Sequence, residues 1–154
     1  MKQILLAIGC VMLSWVASAQ QLTKQEEKNR NFSGAVARLK QYRVIYQMDN
    51  GDPKIIEKVL RNLNNALDDP RLKGKLKAEL VAFSGGTDAF LKGSKYEDAL
   101  KQLVNKGVIL VQCANTLKER KIDRERIYDF IGLAPSGNGE LILRQAEGWS
   151  VIKP

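Results

Sequence analysis

Residues 108–120 read VILVQCANTLKER. Val108 to Val111 is an unbroken apolar run, the pattern of a parallel strand covered on both faces, which has no wet side on which to alternate. From about Asn115 to Arg120 the residues turn to helix formers, with Asn115 suited to the N-cap. A strand that runs straight into a helix, with Cys113 at the junction, is the unit from which the rest of the chain can be read.

Upstream, Ser94 to Glu97 has the spacing of a capping box and predicts a helix carrying Ala99, Leu100, Leu103 and Val104, stopped by Gly107. Before it, AELVAFS (78–84) reads as a strand ending in Gly85-Gly86. Earlier still, YRVIYQM (42–48) is rich in β-branched and aromatic residues and predicts the first strand. DNGDP then turns the chain, with Asp52 as N-cap and Pro53 at the first helical position. Ile55, Ile56, Val59, Leu60, Leu63, Ala66 and Leu67 follow at helical spacing. Downstream, Asp123 caps a short turn, a strand falls near Ile127 to Leu133, PSGNGE opens a helix over Glu140 to Ala146, and GWSVIKP supplies a last short strand. This alternation predicts an α/β fold: a three-layer α/β/α sandwich around a mainly parallel sheet of about five strands. The strand order stays open at this point.

The chain has 154 residues, and its first 20 carry a different pattern. Lys2, an apolar run from Ile4 to Val16 and the small-residue triplet Ala17-Ser18-Ala19 form a secretory signal, so 1–19 reads as a signal peptide and the protein as exported, periplasmic or secreted. A lipoprotein signal with Gly9-Cys10 as the lipidation point would leave only Ile4 to Gly9 as apolar region, which is too short. Residues 20–41 form a polar arm with Phe32, Val36 and Leu39 as weak anchors, and 42–154 the α/β domain. No membrane contact is expected once the signal is cleaved. The chain has two cysteines, and cleavage after Ala19 removes Cys10. Cys113 is then a single thiol in a compartment where cysteines usually pair.

Histidine is absent, which excludes Ser-His-Asp and Cys-His catalysis and, with one cysteine, argues against zinc. No dinucleotide fingerprint, P-loop or EF-hand spacing is present, so no cofactor and no metal is expected. The formal charge is +8, but Lys and Arg are interleaved with acids, as in KERKIDRER (118–126). That is a solvated helix face and not a nucleic-acid footprint, and attraction for small anions is what remains.

Ligands of open α/β sheets bind outside the carboxyl ends of the strands. The candidate residues there are Asp49, the turn Ser84-Gly85-Gly86, Cys113 with Asn115 and Thr116, and Ser136 with Gly137. A thiol ahead of a helix is favoured as thiolate, the nucleophilic form, yet cysteine is also a common small core residue. The glycine turns can cradle an anion or simply reverse the chain.

Together, YRVIYQMDNGDP, GVILVQCANTL and PSGNGELILRQAEGWSVIKP resemble the DsrE/DsrF-like family over Tyr42 to Pro154. The resemblance implies a five-stranded parallel α/β/α fold assembled into small homo-oligomers. It also implies sulfur relay, in which one cysteine holds a sulfane sulfur as a persulfide and passes it to a partner protein. That cysteine falls on Cys113. Its characterised relatives work in the cytoplasm with dedicated partner subunits, whereas this chain carries an export signal. The expected function is therefore an exported persulfide carrier, at most sulfurtransferase-like, with a donor or acceptor protein or small sulfur anions as partners. The alternatives are a non-catalytic ligand-binding or oligomeric module in which Cys113 is structural, and a redox sensor that forms an intermolecular disulfide.

Overall fold

The computed structural model describes residues 21–154, so the segment read as a signal peptide lies outside the described residues. The chain divides into two units, one ending at Ala35 and one spanning Val36–Pro154. The first contains a helix that the sequence reading did not anticipate, α1 (Lys24–Arg30). Its start is a capping box: Glu26 N donates to the Thr23 hydroxyl at 3.3 Å and Thr23 N donates to the Glu26 carboxylate at 2.6 Å. The helix buries none of its residues, and without an apolar stripe its periodicity left no trace to read.

The second unit contains β1 (Tyr42–Met48), α2 (Pro53–Asp68), β2 (Leu76–Ala82), α3 (Glu97–Asn105), β3 (Ile109–Cys113), α4 (Ala114–Arg120), β4 (Gly132–Ala134), α5 (Gly137–Ala146) and β5 (Ser150–Ile152), with 3₁₀ turns at Ser84–Phe90 and Arg124–Arg126. The five strands pair in the order β4-β3-β2-β1-β5, all parallel. From β1 to β4 the chain steps repeatedly toward one edge, and right-handed crossovers then place α2, α3 and α4 on one face. The last crossover runs back the other way, from the β4 edge to β5 beyond β1, and the same handedness puts α5 on the opposite face.

Two separate cores follow. Ile56, Val59 and Leu63 of α2, Leu100 and Leu103 of α3 and Leu117 of α4 pack on Val44, Tyr46, Met48, Leu80 and Leu110. Beneath α5 lies a smaller cluster of Ile45, Val81, Val111, Ala134, Leu141 and Trp149. The sheet is thus a three-layer α/β/α sandwich, with alternate residues of each strand feeding alternate cores.

Several local expectations are corrected. β2 begins and ends two residues earlier than the apolar run suggested, which leaves Ser84, Gly85 and Gly86 in the 3₁₀ turn. Ser94 and Glu97 do not form a capping box: the Ser94 hydroxyl donates to Ala89 O at 2.8 Å, and Tyr96 occupies the N-cap of α3. The strand placed at 127–133 shrinks to Gly132–Ala134, because Ile127, Tyr128 and Ile131 enter the first core from irregular backbone. α5 starts at Gly137 and not at Glu140, with Ser136 Oγ accepting from Gly139 N at 3.2 Å.

The smaller core holds a carboxylate. Glu79, at the centre of β2, is fully buried, and its Oε2 accepts from Arg144 Nε of α5 at 2.8 Å. The Arg144 guanidinium lies 4.6 Å from the Trp149 ring and also meets Glu140 at 3.0 Å and Glu147 at 3.2 Å. Among the described residues the other oxygen, Glu79 Oε1, has no hydrogen-bond partner. Burial pushes this carboxyl up from 4.5 to about 7, against the pull of Arg144. Between those two values the unfolded chain has released a proton that the folded chain keeps. Stability therefore falls as pH rises through that window, by roughly 3 kcal/mol once it is crossed. Replacing Glu79 by Gln is expected to flatten this slope. Urea denaturation of both proteins from about pH 5 to about pH 8 checks it, and parallel curves would show that Glu79 does not carry the dependence.

Candidate functional site

The crossover pattern locates a site before any side chain is considered. β3 and β4 are neighbours, but β3 leads into α4 on one face and β4 into α5 on the other. Their outgoing loops diverge and leave a crevice above the carboxyl ends of both strands. A cavity of about 180 Å³ opens there, lined by Phe83, Ser84, Cys113, Asn115, Thr116, Glu119, Ser136, Gly137 and Asn138. A larger hollow of about 320 Å³ lies by the starts of β1 and β5, among Tyr42, Tyr46, Leu72 and Ser150, with no cysteine and no acidic residue among its described lining residues.

Cys113 closes the floor of the crevice. It pairs with Ala134 in the β3–β4 register, and one step later Asn115 N donates to Pro135 O at 3.2 Å. Pairing that persists beyond the strand ends pulls the start of α4 back onto Cys113. The N-cap is therefore Cys113 itself and not Asn115: its Sγ accepts from Thr116 N at 3.4 Å. A helix leaves its first N–H groups unpaired, and here sulfur does what Ser or Asp oxygen usually does.

Although it lies at the carboxyl end of β3, the thiol is not open to solvent. Cys113 is only 5 % exposed, so whatever reaches it must enter the cavity. Burial by itself raises its pKa. That effect is outweighed by hydrogen bonds from the Thr116 side chain and from the amides of Thr116, Gly137 and Asn115, so the thiol lies below its ordinary value. The Thr116 hydroxyl also accepts from Ser84 N at 3.0 Å, which ties the β2 turn to α4. Ser84 is a non-glycine residue at φ 49°, in the left-handed region.

Six of the residues singled out from sequence meet in this crevice: Cys113, Ser84, Asn115, Thr116, Ser136 and Gly137. Asp49, Gly85 and Gly86 do not line it. Asp49 accepts from Lys153 Nζ at 2.6 Å and from Gln47 Nε2 at 3.1 Å. Burial raises its carboxyl, but those two donors outweigh it and hold the group below the usual range. Gly86 is a packing residue: a Cβ there would stand 2.0 Å from Met48 O. Gly137 is small for a similar reason, since a Cβ would meet the Phe83 ring at 2.6 Å.

Sequence reasoning missed Phe83, Glu119 and Asn138. Glu119 was accessible to it, being one turn along α4 from Asn115 and Thr116 and so on the same helix face. Among the described residues that line the cavity, Glu119 is acidic and none is basic. Among the described residues no group of three or more His, Cys, Asp or Glu could hold a metal ion, and no helix is long and apolar enough to cross a membrane.

A parallel five-stranded sandwich with a cysteine at the β3–α4 junction defines the class. The model of the DsrE/DsrF-like family matches residues 56–154, and the chain belongs to that family. Among solved structures it is similar to MTH1491 from Methanobacterium thermoautotrophicum, a protein of unknown function, at 29% identity and a TM-score of 0.70, over 74% of this chain and 100% of that one. The ychN protein from E. coli shares the fold at 18% identity and a TM-score of 0.61, over 74% of this chain and 99% of that one. BT1422 from Bacteroides thetaiotaomicron, a conserved protein of unknown function, does so at 8% identity and a TM-score of 0.59, over 79% of this chain and 100% of that one. No curated protein matches the chain.

Two outcomes are expected from this geometry. The rate of Cys113 alkylation in the native protein, followed against pH, will have its midpoint below that of a free cysteine; a midpoint at or above it contradicts the hydrogen-bond account. Gly86→Ala will cost about 3 kcal/mol or more in urea denaturation, because backbone and not a flexible side chain must yield.

Proposed function

We propose that this protein is an exported sulfur carrier that holds one sulfane sulfur as a persulfide on Cys113. Family membership makes sulfur relay the reference chemistry. The observation that carries the reading is Cys113 Sγ at the N-cap of α4, hydrogen-bonded by Thr116 and facing a cavity wide enough for a few atoms. The thiolate attacks the outer sulfur of a donor persulfide. A bond forms from Sγ to that sulfur, the donor's S–S bond breaks, and the donor leaves as a thiolate. No oxidant is consumed, and the proton of the transferred SH group stays where it was. The backbone amide donated to Sγ stabilises the negative charge of the attacking thiolate.

A cavity whose described lining has Glu119 and no basic residue suits a thiol-borne persulfide, on a donor protein or a small carrier, better than free thiosulfate. Ile142 and Leu143 of α5 and Val151 and Ile152 of β5 are exposed and support assembly into a homo-oligomer. Export places the carrier where a persulfide is at risk of oxidation, and a buried Sγ in a narrow crevice protects it.

The burial of Cys113 favours a second reading, a non-catalytic module in which the thiol is only a helix cap. Serine is a good N-cap, so Cys113→Ser should fold in either case. After incubation with a persulfide donor, intact mass spectrometry is expected to show the parent heavier by one sulfur atom and Cys113→Ser unchanged. An unmodified parent under conditions that load free cysteine rejects the carrier and leaves the cap.

A further inference from the structure

We propose that Arg120 is a positioning residue for Cys113, acting through Ser84 and Thr116. The proposal rests on the sulfur-carrier reading for its purpose, since only a reactive thiol has use for such a device, but its geometry stands independently. Arg120, in the last turn of α4, reaches across to the 3₁₀ turn that follows β2. Its Nη1 donates to Ser84 O at 2.9 Å and its Nη2 to Asp88 Oδ1 at 2.7 Å. One planar group thus holds two points of the same turn.

The point it grips is the strained one. A serine at φ 49° sits in the left-handed region that favours glycine, and something must hold it there. With Ser84 so fixed, its N–H points at the Thr116 hydroxyl, 3.0 Å away. That bond anchors Thr116, whose own amide donates to Cys113 Sγ at 3.4 Å. Both the amide and the side chain of Thr116 act to lower the thiol, so the placement of this residue bears directly on the sulfur.

Without Arg120, Ser84 relaxes, its N–H turns away, and Thr116 loses the bond that anchors its side chain. The sulfur then keeps the Thr116 amide but no longer a fixed Thr116 side chain beside it. The other charged groups here are Glu119, which lines the cavity, and Asp88, which pairs with Arg120; neither donates to the sulfur.

The test is the pH profile of Cys113 alkylation by iodoacetamide in the parent, Arg120→Gln, Thr116→Val and the double variant. Arg120→Gln should move the midpoint upward and slow alkylation near neutral pH by about three- to tenfold. Thr116→Val should do the same, and the double variant should be no slower than the slower single one. Arg120→Lys, a point charge able to keep one contact, should recover part of the effect. An unmoved midpoint in Arg120→Gln, or effects that multiply in the double variant, overturns the proposal, because a merely structural arginine alters stability or access but not the midpoint. Should Arg120→Gln fail to fold, Asp88→Asn loosens the same grip and carries the same test. Alkylation reads the thiol and not bound sulfur, so a relay confirmed in a protein that never loads sulfur would sink the carrier reading alone.

Discussion

The pairing of β3 with β4 is the constraint on which the rest of the molecule turns. It is a short ladder, Val111 with Gly132 through Cys113 with Ala134, prolonged by the bond from Asn115 N to Pro135 O. Because the two strands are parallel, their exits point the same way. Because their crossovers have opposite destinations, those exits separate. The crevice, the start of α4 at Cys113 and the approach of the α5 N-terminus all follow from that one arrangement. β4 itself is only three residues long, so it owes its place to the register with β3 and to the buried Ile131 before it more than to any propensity of its own.

The two faces of the sheet are unequal for the same topological reason. Three helices cover one face and one covers the other, and the thin side is where Glu79 and Arg144 sit. A carboxylate at the centre of a buried strand costs more than an aliphatic residue would, and its partner Arg144 is only partly shielded, with 24% of its side chain exposed. Arg144 meets this by stacking on Trp149 and by drawing in Glu140 and Glu147 from its own helix. What the ion pair achieves is geometric: it fixes the roll of α5, the helix whose first turn supplies Ser136, Gly137 and Asn138 to the crevice.

Legibility in the sequence followed the local character of each signal. YRVIYQM gave β1 its observed limits, and Asp52 with Pro53 marked the start of α2, since both depend on residues a few positions apart. The parallel sandwich was equally accessible, because alternation of strand and helix admits few folds. Signals that depend on distant partners failed. Asn115 looked like the better cap until strand pairing moved the helix start to Cys113. Ser94 and Glu97 had the capping-box spacing, but Ala89 O claimed the serine. Ser84-Gly85-Gly86 read as an anion loop or a turn; contacts with Met48 and Gly51 make the two glycines packing residues and leave Ser84 alone at the crevice. Asp49 stood at a strand end, yet Lys153, more than a hundred residues on, engages it.

For the carrier proposed above, the placement of the thiol combines two demands that normally conflict. A sulfur that must be attacked or must attack needs access, whereas one that must survive outside the reducing cytosol needs cover. Burial alone would meet the second demand by making the thiol less acidic and less nucleophilic. Placing it at a helix N-cap reverses that penalty, because the backbone amide of Thr116, already oriented toward the sulfur, replaces water as donor. A serine cap would satisfy the same amides, so helix stability alone does not explain a cysteine here. Sulfur at this cap fits the chemistry proposed for Sγ, and the crevice would give that chemistry a single direction of approach.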